Sequence, residues 1–142
     1  MKPLENNSEV ILIVDDERDI LELFGECLRS EGYNVQLFTE PTELLKYFYE
    51  NPSSSVVITD YKMPEMGGID LIKKIREIDK EFKIKLILIS AYLGDGITSS
   101  YSTNELENLK IDKIVEKPLK ITELTNIVKK LIEIEEPLLE RR

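Results

Sequence analysis

Short apolar runs alternate with amphipathic segments along this 142-residue chain. The apolar runs are VILIV (Val10–Val14), YNVQLF (Tyr33–Phe38), VVIT (Val56–Thr59), KLILIS (Lys85–Ser90) and KIVE (Lys113–Glu116). Three of them are almost wholly apolar, which suits strands buried on both faces of a sheet. The segments between them carry a helical period. In ERDILELFGECLRSEG, Ile20, Leu21, Phe24, Cys27 and Leu28 share one stripe, and Gly32 is placed to end the helix. EPTELLKYFYEN has Pro41 in its first turn and then Leu44, Leu45 and Phe48. GGIDLIKKIREID groups Ile69, Ile72, Ile75 and, less perfectly, Ile78, while ITELTNIVKKLIEIEE groups Leu124, Ile127, Val128 and Leu131.

The order β-α-β-α-β-α-β-(α)-β-α predicts an α/β fold, a parallel sheet with helices on both faces. The fourth helix is the weakest element. The Gly-, Ser- and Thr-rich stretch after Ala91 reads as loop, and STNELENLK as a short helix capped by Ser102 or Thr103. Pro137 is expected to stop the last helix, leaving a frayed tail. Residues 1–8 form an expected N-terminal tail, 9–136 the domain and 137–142 a C-terminal tail. No internal repeat or low-complexity tract is present.

Composition narrows the function. The length is that of one domain with a real core, and 42% hydrophobic with 33% charged residues is a globular balance. A net charge of −9 argues against direct nucleic-acid binding or association with an anionic membrane. The opening MKPLENNSE has no apolar core of a signal peptide, and no apolar run is long enough for membrane insertion. The single Cys27 excludes an internal disulfide; its helical stripe predicts a buried thiol, in keeping with a reducing, cytoplasmic setting. The absence of His removes histidine acid–base chemistry and most zinc or copper sites.

The chemistry gathers after the strands. The first strand runs into Asp15, Asp16 and Glu17, the third into Asp60, the fourth into Ser90–Ala91, and the fifth into Lys117–Pro118. In open α/β sheets ligands bind beyond the carboxyl ends of the strands. If strands one and three are neighbours, Asp15, Asp16 and Asp60 converge on one edge, and their mutual repulsion calls for a hard cation, Mg²⁺ rather than a dedicated Ca²⁺ cage. With Lys117 and Ser90 beside them the set suits a phosphoryl group, Asp60 being the nucleophile that becomes an aspartyl phosphate. Taken singly, each signal has a plainer meaning: Asp60 a turn or cap residue, DDE a favourable charge at a helix start, Ser90 a cap, Lys117–Pro118 a turn, the Gly pair an ordinary helix entry. The joint arrangement, DD, DxxMP, SA and KP after four strands, favours the functional meaning.

These motifs, over nearly the whole chain from about Glu9 to about Glu136, resemble the receiver domain of two-component response regulators. The resemblance implies a flavodoxin-like (βα)5 three-layer sandwich with a five-stranded sheet in order 2-1-3-4-5. It implies that Asp60 takes a phosphoryl group from a histidine kinase or histidine phosphotransfer protein. Asp16, Asp60 and the backbone carbonyl of Lys62 are then the direct Mg²⁺ ligands, with Asp15 acting through a bound water. Ser90 and the Ala91 N–H contact the phosphoryl oxygens and Lys117 pairs with them. Pro118 is commonly cis in the family, and phosphorylation remodels the face formed by the fourth helix, fifth strand and fifth helix.

Four departures from the family pattern matter. Ile114 stands where an aromatic is frequent, so an aromatic-rotamer readout is unavailable there. The stretch from Ser90 to Lys117 is longer and more polar than usual. Gly67 stands where Asp or Asn is common. Lys62 and Tyr92 occupy positions that influence loss of the phosphoryl group, and the bulk of Tyr92 predicts a long-lived phosphorylated state, which a half-life measurement on Tyr92→Ala tests. The expected output is a switch in protein–protein binding by a monomer or weak dimer, with an unknown downstream protein, or onward phosphotransfer. A stand-alone protein and a piece of a longer one both fit. Two alternatives are a Mg²⁺-dependent phosphatase, against which DYKMP lacks the second acid of a DxDxT motif, and a pseudo-receiver that only binds partners.

Overall fold

A computed structural model describes residues 9–91 and 101–134. Strands and helices alternate in it: β1 (Val10–Val14), α1 (Arg18–Ser30), β2 (Asn34–Phe38), α2 (Pro41–Glu50), β3 (Val56–Asp60), α3 (Gly68–Ile78), β4 (Lys85–Ser90), α4 (Thr103–Leu109), β5 (Lys113–Glu116) and α5 (Ile121–Ile134). The sheet is wholly parallel in the order β2-β1-β3-β4-β5. Both the flavodoxin-like architecture and the strand order match expectation. Segment 92–100 with Tyr92, the Pro137 stop and both expected tails lie outside the described residues.

Alternation within the central strands builds the three layers. Leu12, Val14, Val57, Leu86 and Leu88 point to one side, into a cluster with Leu44, Phe48, Ile72 and Ile75 of α2 and α3. Ile11, Ile13, Ile58, Ile87 and Ile89 point to the other, against Leu21, Phe24 and Leu28 of α1 and Leu124 and Val128 of α5. β1, β3 and β4 are therefore buried on both faces, which is why they read as unbroken apolar runs.

Local chemistry explains the boundaries. β2 starts at Asn34, one residue later than the apolar run suggests, and β3 continues through Asp60. Beyond α1, the Gly32 N–H bonds the Arg29 carbonyl at 2.9 Å with φ at 98°, a backbone geometry that glycine adopts without strain. The weak fourth helix exists because Ser102 caps it. Its hydroxyl accepts the Glu105 N–H at 3.0 Å and the Glu105 carboxylate accepts the Ser102 N–H at 3.1 Å, a reciprocal capping box.

Two residues depart from their expected environments. Cys27 is half-buried rather than buried, because it lies on the seam between α1 and α5, with Sγ 3.2 Å from Thr125 Oγ1. Arg76, next to the apolar stripe of α3, is buried. Its guanidinium donates to the carbonyls of Leu109 (2.7 Å), Ile84 (2.9 Å) and Lys110 (2.7 Å) and to Asp79 Oδ2 (2.9 Å). It ties α3 to the start of β4 and to the end of α4, with the Phe82 ring 4.9 Å away over its outer side.

Candidate functional site

The register of the central strands decides what meets at the carboxyl edge. Val14 pairs with Thr59, and Asp60 with Ile89. The residues leaving β1, β3 and β4 thus emerge side by side. A carboxylate oxygen from each of Asp15, Asp16 and Asp60 lies within 4.8 Å of the others. Asp15 and Asp60 are buried, while Asp16 is exposed. An open pocket of about 470 Å³ lies here, lined by Asp16, Asp60, Tyr61, Lys62, Ser90, Ala91 and Lys117 among others.

Backbone bonds hold Asp60 in place. Tyr61 N–H donates to Asp60 Oδ1 at 3.1 Å and to the Ile89 carbonyl at 2.8 Å. The Thr59 hydroxyl donates to the Asp60 carbonyl at 3.0 Å. Gly68 N–H bonds the Tyr61 carbonyl at 2.8 Å, which folds the MPEMGG loop back onto the strand end. Within that loop Glu65 takes a left-handed φ of 71°, a strained conformation for a residue with a side chain.

Lys117 reaches the same place from the sheet edge. Its N–H bonds the Ser90 carbonyl at 2.9 Å, and the Lys117–Pro118 peptide is cis. Its ammonium stands 3.3 Å from Asp60, 3.6 Å from Asp15 and 3.5 Å from Glu17.

The electrostatics follow from crowding and burial. Burial pushes the Asp15 carboxyl from its ordinary 3.8 up to about 6; the Asp60 charge adds to the rise, and the Glu17 N–H and Lys117 oppose it. Burial raises Asp60 as well, against the pull of Lys117. Burial also disfavours the Lys117 charge, but Asp15 and Asp60 outweigh it and hold the ammonium above its usual range. Three carboxylates with oxygens within 4.8 Å of one another form a donor set of hard oxygens, chemistry that fits a divalent cation such as Mg²⁺.

All seven residues singled out in the sequence are thus at one edge: six line the pocket and Asp15 lies against it within ion-pair distance of Lys117. Ile114 is half-buried and packs on the α2–α3 side of the core together with Tyr101, Leu106 and Ile111. Sequence reasoning missed the Glu17–Lys117 contact and the part played by Gly68. Glu17 was visible in DDE, but only as a charge at a helix start.

Comparison with known proteins places this arrangement. Residues 11–129 match the response regulator receiver domain. The response regulator receiver protein CpdR of Brucella abortus is 28% identical over 122 residues, 86% of this chain and 95% of that protein. The response regulator RR06 of Streptococcus pneumoniae is 34% identical over 122 residues, and there the chain spans only 52% of the longer relative. Among solved structures, the receiver domain protein from Clostridium thermocellum superimposes with a TM-score of 0.75 at 28% identity, covering 89% of this chain and 96% of that one. A CheY-like receiver domain protein from Methanospirillum hungatei gives a TM-score of 0.75 at 29% identity, with the same coverage. With the acids, the lysine and the serine all at one edge of a 2-1-3-4-5 sheet, the chain belongs to the receiver domains of two-component response regulators.

Proposed function

We propose that Asp60 is the phosphoryl acceptor of this receiver domain, and that a phosphohistidine of a histidine kinase or histidine phosphotransfer protein is the donor. The observation that carries this is the position of Asp60: buried at the end of the central strand, 3.3 Å from the Lys117 ammonium and open to one pocket with Ser90 and Ala91. An Asp60 oxygen attacks phosphorus, the new O–P bond forms as the N–P bond to the donor imidazole breaks, and the electron pair stays on that nitrogen. The Tyr61 N–H orients the carboxylate. Lys117, the Ser90 hydroxyl and the Ala91 N–H are the donors available to the phosphoryl oxygens. Hydrolysis later returns the carboxylate, with water attacking phosphorus and Asp60 leaving.

Asp16, Asp60 and the Lys62 carbonyl would hold Mg²⁺, with Asp15 reaching it through a water. When bound, the ion supplies positive charge that offsets the acids and the incoming phosphoryl oxygens. The domain is modified once per chain rather than turning over an external substrate; DYKMP at β3 lacks the second acid that a phosphatase uses to protonate a leaving group. The full acid, serine and lysine set speaks against a pseudo-receiver. The output is a change in protein–protein binding in the cytoplasm, a setting that suits the free Cys27 thiol. No described helix is long and apolar enough to cross a membrane.

Incubation with acetyl phosphate and Mg²⁺, read by intact mass, tests this. One phosphoryl group per chain is expected, and none in Asp60→Asn. Phosphate release from an ordinary phosphomonoester such as p-nitrophenyl phosphate would instead indicate a phosphatase, and an unmodified wild type a pseudo-receiver.

A further inference from the structure

Glu17 occupies the residue that flanks the start of α1, with an extended backbone (φ −94°, ψ 104°) and no side-chain bond to the helix. Its backbone is fully employed. The carbonyl accepts the Leu21 N–H at 3.1 Å, and its own N–H donates to Asp15 Oδ1 at 2.9 Å. The side chain serves neither purpose. It is 59% exposed, and its carboxylate stands 3.5 Å from the Lys117 ammonium. A favourable charge at a positive helix end accounts for an acid at this position. It does not account for the direction the acid takes, toward a pocket-lining lysine that also faces Asp60 and Asp15.

We infer that Glu17 is a positioning residue that sets the charge of the site: it strengthens binding of a divalent cation and slows the approach of an anionic phosphodonor. Asp15 and Asp60 already face the Lys117 ammonium with Asp16 beside them, and the exposed Glu17 adds a fourth acid. That charge attracts a cation and repels a phosphate ester by the same Coulomb interaction, so removing it moves the two properties in opposite directions. Because Glu17 is exposed, the effect is moderate and screened by salt. The donor half of the inference rests on Asp60 being the acceptor; the cation half does not.

The test is calorimetric titration of magnesium chloride into the wild type, Glu17→Gln and Glu17→Asp at low and high ionic strength, together with acetyl phosphate loading at saturating magnesium. At low salt Glu17→Gln is expected to weaken magnesium binding about three- to tenfold, and Glu17→Asp, which keeps the charge, by no more than about twofold. The gap between Gln and wild type closes at high salt. At saturating magnesium Glu17→Gln loads faster than wild type. Unchanged magnesium affinity in Glu17→Gln overturns the inference, as does an equal, salt-independent loss in both variants, which marks a structural role. Equal or slower loading of Glu17→Gln overturns the donor half. A wild type that binds magnesium but takes no phosphoryl group refutes the role of Asp60, and the titrations still decide the role of Glu17.

Discussion

A Cβ at Gly68 would lie 2.3 Å from the Asp60 carbonyl oxygen and 2.9 Å from the Leu88 side chain. The first turn of α3 is thus pressed against the end of β3 at Asp60, the proposed acceptor. The neighbouring Gly67 is less constrained, with its nearest contact 3.2 Å away at the Tyr61 carbonyl. Gly68→Ala must push the backbone apart at Asp60. It is expected to destabilise the fold by about 1–3 kcal/mol in urea unfolding and to slow acetyl phosphate loading. Gly67→Ala should have the smaller effect on both.

Asp15 gives the protein a pH dependence whose sign is set by its environment. Its folded-state value, about 6, lies above the usual 3.8, so the folded state binds the proton more tightly than the unfolded chain. Stability contributed by that proton is present at low pH and is lost as pH rises from about 4 through about 6. Asp60 is shifted in the same direction. Without divalent cations, Asp15→Asn is expected to raise the melting temperature at pH 7 and to change it little at pH 4. Melting curves of both proteins across that range, in a chelating buffer, measure the difference. An equal effect at both ends would show that the Asp15 charge is not its source.

Arg76 is held by three carbonyls and the Asp79 carboxylate, with the Asp112 carboxylate 3.8 Å away. Arg76→Met keeps the aliphatic volume but leaves those carbonyls without their donor and Asp79 without its cation. A loss of about 3–5 kcal/mol is expected in chemical denaturation. Arg76→Lys should not restore it, since a single ammonium cannot reach four acceptors that the planar guanidinium meets at once.

Ser102→Ala removes half of the capping box at α4 and should cost about 1 kcal/mol of helix stability. Hydrogen exchange of the Thr103–Leu109 amides is expected to quicken while that of α3 stays unchanged. Exchange that quickens equally in both helices would mean that α4 does not open separately.

The parts of the molecule that could be read from the chain are those in which a residue's neighbours in sequence are also its neighbours in effect. β1, β3 and β4 announce themselves because burial on both faces demands uninterrupted apolar runs. Asp15, Asp16, Asp60, Ser90 and Lys117 were legible because a parallel sheet brings the carboxyl ends of its strands to one edge whatever the loops do. Arg76 was not legible. One cation beside an apolar stripe looks solvent-facing, and its burial depends on carbonyls from Ile84, Leu109 and Lys110, which only the folded chain assembles. Cys27 failed for a related reason: helical period places it on the inner stripe, but it meets Thr125 of α5 at the seam and stays half-buried. Gly67 and Gly68 are equivalent as letters, and only the approach of α3 to β3 separates them.

The two ends of α4 are fastened very differently. Its last residues are gripped from within the protein by the Arg76 guanidinium. Among the described residues, its first turn reaches α3 through a solvent-exposed ion pair, Lys73–Glu105 at 3.2 Å, with the Lys73 ammonium 5.1 Å from the Tyr101 ring. Exposed pairs of that kind contribute little. Loosening of α4 is therefore expected to begin at its first turn, while the end at Leu109 and Lys110 stays anchored.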